Sequence, residues 1–104
     1  MENIHIELAL EENLRDTIQY LYYMKESYSE IIKDIIENKR CINSNKELLD
    51  YYNEQYLDYN LKLKALQEEV VYDLYPIESG QSAIYYVDFH RSKIIITGFK
   101  SIIR

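Results

Sequence analysis

Val70-Val71-Tyr72-Asp73-Leu74-Tyr75-Pro76 is the stretch on which the fold turns. Its residues are β-branched and aromatic, the types that favour strands, and Pro76 stops any helix arriving from upstream. A helical period that reaches Val70 competes with that reading. The residue types favour a strand over about 70–76, following a helix that ends near Glu68 or Glu69.

Upstream, Leu49, Tyr52, Tyr56, Tyr59, Leu63, Leu66 and Val70 recur at three- and four-residue steps, the period of an amphipathic helix. Ser44-Asn45-Lys46-Glu47 has the form of a capping box at its start, so the helix is placed over about 44–69. A second helix is expected over about 11–38. There Leu10, Leu14, Leu21, Met24, Tyr28, Ile31 and Ile35 form one stripe that no Gly or Pro interrupts. The short link between the two predicts an antiparallel helical hairpin. Residues 3–10 alternate Ile4, Ile6, Leu8 and Leu10 with Asn3, His5, Glu7 and Ala9, which reads as a short strand or as a frayed helix start.

Downstream, Ser79-Gly80-Gln81 reads as a turn. Strands are expected over about 83–89 and 93–99, linked as a hairpin through His90-Arg91-Ser92. The expected fold is α+β in a single domain, 1–104, ordered strand, helix, helix, strand, strand, strand.

Composition bounds the rest. The 104 residues carry 12 Lys+Arg against 18 Asp+Glu, for a net charge of −6. Residues 1–80 hold 17 acids and 8 bases, while 81–104 hold Asp88 against Arg91, Lys93, Lys100 and Arg104. A basic hairpin is thus attached to an acidic body. No apolar run approaches the roughly 20 residues of a membrane span, and the acidic start Met1-Glu2-Asn3-Ile4-His5 is unlike a secretory leader. The lone Cys41 fits a reducing compartment, so a cytoplasmic location is expected. Richness in Ile, Lys, Asn and Tyr fits AT-rich coding DNA, as in a low-GC bacterium or a virus or plasmid of one. His5 and Cys41 have no partners at metal-ligand spacing, so neither a metal nor a cofactor is expected.

The order of elements, with Val71-Tyr72-Asp73-Leu74-Tyr75, Ile84-Tyr85-Tyr86-Val87 and Ile95-Ile96-Thr97-Gly98-Phe99-Lys100, resembles the last three strands of RelE/HigB-type toxins over about residues 70–101. The resemblance implies an mRNA-cleaving toxin paired with an antitoxin, with Tyr86, His90, Arg91, Lys93 and Lys100 as catalytic candidates. The chain departs from that family where cations matter. Tyr75 and Ala83 stand where arginines are usual, and the basic pair after the last strand is reduced to Lys100-Ser101. Phosphate chemistry on RNA needs such cations, and an acidic chain repels the substrate. Nucleic acid is therefore not an expected partner.

Asp88 and His90 lie two apart, a spacing that on a strand orients an imidazole as a base. The plainer reading is a solvated hairpin tip. The 12 tyrosines carry more information. Tyr20 and Tyr23 lie on the first helix and Tyr51, Tyr52, Tyr56 and Tyr59 on the second, more apolar surface than one hairpin seam consumes. Tyr combines an apolar ring with a polar tip, which suits recognition surfaces as well as cores. The expected function is a small acidic, non-enzymatic regulator or inhibitor, of viral or mobile-element type. It would bind a protein partner through these tyrosines, self-associate as a homodimer, and use its acidic charge against a basic groove. The RelE-like ribonuclease is the alternative.

Overall fold

The computed structural model describes residues 4–38 and 42–102. The elements run β1 (Ile6–Ala9), α1 (Glu12–Asn38), α2 (Ile42–Leu74), β2 (Gln81–Asp88) and β3 (Lys93–Ser101), an α+β fold. The chain divides into two compact units, one of residues 1–17 with 66–104 and the other of residues 18–65.

The expected strand at 70–76 is helix instead: α2 continues to Leu74, and the Tyr75 N–H still donates to the Val71 carbonyl at 2.8 Å. Extending an existing helix needs no new nucleus, and the modest propensity cost of two valines is outweighed by burial of both Val70 and Val71. Pro76 ends the helix where its ring disfavours helical geometry at the residue before it. The short N-terminal strand is present as β1, and α2 opens at Ile42, two residues ahead of the expected cap. The Ser44 side chain of the expected capping box and residues 39–41 of the linking turn lie outside the described residues.

In the sheet unit the strand order is β1-β3-β2, antiparallel throughout, with β3 central. Ile94 and Ile96 point to the same face as their partners Val87 and Tyr85. That inner face is covered by the end of α2, where Tyr75 stacks on Phe99 at 5.9 Å. The register skips Thr97, so Ile84 pairs with Gly98 and Tyr85 with Ile96. This bulge returns Phe99 to the inner face opposite Ala83, while alternation along the strands leaves Ile84, Tyr86 and Ile95 on the outer one. The core of this unit is Leu10, Val70, Val71, Ala83, Ile94, Ile95 and Ile96.

Two residues hold left-handed backbone. Gly80 (φ 83°) forms the turn into β2 and accepts the Ile102 N–H at 2.8 Å. Ser92 (φ 53°) closes the β2–β3 turn, where its carbonyl accepts the Leu10 N–H at 2.8 Å and its hydroxyl accepts Arg15 Nη1 at 3.1 Å. Those bonds offset the strain of a side chain in that region.

In the hairpin unit the antiparallel helices meet along an aromatic seam. Tyr28 of α1 lies 6.0 Å from Tyr52 and 5.6 Å from Tyr59 of α2, the latter stacked. Ile18 and Leu63 are its buried residues among those described.

Candidate protein-binding surface

The hairpin divides the six tyrosines singled out from the sequence. Tyr52, Tyr56 and Tyr59 are half-buried, and Tyr52 and Tyr59 engage Tyr28 across the seam. Tyr20, Tyr23 and Tyr51 are exposed, with Tyr51 edge-on to Tyr52 at 5.2 Å. Burial first, then Tyr20 and Tyr28 nearby, raises the Tyr59 phenol above its ordinary value, with Lys62 opposing the shift. Lys62 is raised in turn, chiefly by its 2.9 Å bond to Asp58 one turn earlier.

Beyond the seam each helix carries a second apolar stripe. On α1, Tyr20, Tyr23 and Ile31 are exposed, and their three- and eight-residue steps put them on one face, with Tyr20 at the seam margin beside Tyr59. On α2, Leu57 and Leu61 sit one turn apart and are equally open. Among the described residues of the unit, Tyr23 and Leu61 are the most exposed large apolar side chains, at 68% and 64%. Charge does not mask these stripes, because residues 18–65 carry eight acids and seven bases. The acidic excess read over residues 1–80 belongs to the segments flanking the hairpin. The leucine stripe of α2 was visible as a four-residue step in the sequence.

The residues of the ribonuclease alternative spread along the β2–β3 hairpin, with Lys100 apart from the rest. His90 and Arg91 lie in the β2–β3 turn, and Lys93 starts β3, where its Nζ meets Glu7 Oε1 at 3.4 Å. Tyr86 stands mid-strand on the outer face of β2. Lys100 is seven residues along β3 from Lys93, roughly 23 Å at strand rise. Asp88 is engaged with Arg91, accepting its backbone N–H at 3.2 Å and facing its Nε at 3.8 Å. His90 has left the strand, so the two-residue spacing does not pair it with Asp88.

Tyr85 is the most perturbed group in the sheet unit. Burial first, then Glu68 and Tyr72, pushes its phenol up to about 12. Elsewhere in the same unit an open cavity of about 290 Å³ is lined by Tyr75, Pro76, Ile77, Glu78, Gln81 and Phe99. Among the described residues, no three His, Cys, Asp or Glu side chains gather as a metal site requires. No helix there is long and apolar enough to cross a membrane. Family models, curated proteins and solved structures were all compared with the chain, and none gives a significant match.

Proposed function

We propose that the protein is a non-enzymatic binding module that regulates or inhibits a protein partner through the exposed stripes of its helical hairpin. One observation carries this reading: Tyr23 and Ile31 on α1, and Leu57 and Leu61 on α2, stand open at helical spacing outside the seam, with Tyr20 exposed at its margin beside Tyr59. Large exposed apolar residues grouped in this way are the usual mark of an interaction surface. Tyr at its centre adds rigid contact area and a hydroxyl that tolerates water before binding. The near-neutral charge of residues 18–65 supports recognition by apolar contact rather than by acidic mimicry of phosphate.

Affinity capture with the full chain in its native host tests the proposal. A partner retained by the unaltered protein and by an Ile84→Lys variant, but lost with Tyr23→Ala combined with Leu61→Ala, is the expected result. Capture that survives the hairpin changes sinks the assignment. Growth arrest on expression, relieved by Lys100→Ala, would instead favour the ribonuclease.

A further inference from the structure

The edge of the sheet formed by β2 is long and open. β3 lies on one side of β2, and among the described residues no strand lies on the other. Its eight residues, Gln81-Ser82-Ala83-Ile84-Tyr85-Tyr86-Val87-Asp88, contain no Lys, Arg or Pro, the residues that commonly blunt an edge strand. The opposite edge, β1, is half as long and carries Glu7.

Hydrogen bonds fix which backbone groups face outward. Gly80 accepts from Ile102 and Ile84 accepts from Thr97 Oγ1 at 3.3 Å, so even-numbered residues turn toward β3. Odd-numbered residues turn away from it. At Gln81 those outward groups are already satisfied, its N–H by the Glu78 carbonyl at 3.1 Å and its carbonyl by the Tyr72 hydroxyl at 3.3 Å. Ala83, Tyr85 and Val87 form the remaining outward row.

We propose that a second copy of this chain docks its own β2 antiparallel to this edge, with the two-fold axis at Tyr85. In that register Tyr85 pairs with Tyr85 of the second copy and Ala83 with Val87, so each outward N–H and C=O meets its complement. The outward groups of Gln81, already engaged, are not called upon. Side chains agree with the backbone. Ile84 and Tyr86, 47% and 51% exposed on the outer face, come opposite Tyr86 and Ile84 of the second copy. These are aromatic–β-branched cross-strand pairs, a stabilising combination. Charge also fits: Ser82 meets Asp88 of the second copy, with Lys100 beside the serine and the second copy's Lys93 beside the aspartate. No like charges stand opposite one another. A register centred one residue away, at Ile84, would require the outward groups of Gln81. The result is one continuous six-stranded sheet, a closed C2 assembly. This proposal does not rest on the hairpin surface.

Sedimentation of the full chain over about a hundredfold concentration range tests it, with circular dichroism to confirm folding. The unaltered protein should be a dimer. Ile84→Lys with Tyr86→Lys sets lysine against lysine twice and should shift it to monomer. Ile84→Lys with Tyr86→Glu sets lysine against glutamate in this register alone and should restore the dimer. A second route avoids charge. With Cys41→Ser in both, Ile84→Cys and Tyr86→Cys proteins are mixed under mild oxidation. Positions 84 and 86 then form a non-hydrogen-bonded pair with Cα atoms about 4.5 Å apart, within disulfide reach. A mixed disulfide should exceed either homodisulfide several-fold. A monomer at every concentration overturns the proposal. So does failure of the Lys/Glu variant to dimerise, or dimer loss with Tyr23→Ala and Leu61→Ala while the lysine pair leaves the dimer intact.

Discussion

The sheet unit and the hairpin unit use apolar residues in opposite ways. Residues 1–17 and 66–104 bury Leu10, Val70, Val71, Ala83, Ile94, Ile95 and Ile96, with the central strand closed on both sides by its neighbours. Residues 18–65 are as apolar in pattern, yet among the described residues Ile18 and Leu63 are their buried members, and tyrosine rings fill the seam. A strand between two others loses solvent on its edges as well as its face, whereas two helices share a single seam. The hairpin therefore retains apolar surface that its own packing does not need. The contrast predicts that stability resides mainly in the first unit, and the partner surface proposed above lies in the second.

The largest expected effect tests that division directly. Ile96→Ala removes a fully buried side chain from the central strand and should cost about 3 kcal/mol in urea unfolding. Leu61→Ala, at an exposed position of the hairpin, should change stability by no more than about 0.5 kcal/mol. Similar costs for the two would erase the contrast. A smaller effect belongs to the seam. Tyr28→Ala forfeits two ring contacts of about 0.5–1.5 kcal/mol each at a half-buried site, so a loss of about 2 kcal/mol is expected. Tyr28→Phe keeps the rings and should stay close to the unaltered protein. A Tyr28→Ala variant as stable as its parent would mean that the seam is held by something other than its aromatics.

Much of this architecture is legible in the residues. Both helices and the two C-terminal strands follow from period and from turn residues such as Gly80, whereas the alternation at residues 3–10 leaves strand and helix start open until β1 pairs with β3. The reading fails at Val70–Leu74, where local propensity favours a strand but tertiary burial of Val70 and Val71 prolongs the helix. One consequence is that residues 71–74, taken as the first of three toxin-like strands, are helical. The tyrosines were legible as a surplus but not as a surface, because periodicity does not distinguish a ring facing Tyr28 from one facing solvent. Tyr52 and Tyr23 look alike in sequence and differ in burial. The bulge at Thr97, which puts Phe99 rather than Gly98 on the inner face, depends on pairing with β2, which no local pattern encodes.

The smallest expected effect separates the two units by pH. Tyr85 belongs to the sheet unit, and its phenol is raised from an ordinary 10.0 to about 12, chiefly by burial. A raised value means that the folded state holds its proton where the unfolded chain has released it. Below pH 10 both states are neutral and the group carries no penalty. As pH rises from 10 toward 12 the unfolded state gains by ionising, so stability falls. Solvent screening of a half-buried ring limits that loss to about 1 kcal/mol. Other tyrosines also titrate there, so the readout is the difference between the parent and Tyr85→Phe in urea unfolding at about pH 9 and about pH 11.5. The phenylalanine variant should lose less stability across that interval. Tyr59 in the hairpin is raised too, but Lys62 beside it favours the phenolate, so Tyr59→Phe should show the weaker difference. Equal differences at the two positions would show that burial does not distinguish the sheet unit from the seam. A larger one at Tyr59 would place the drier environment in the hairpin.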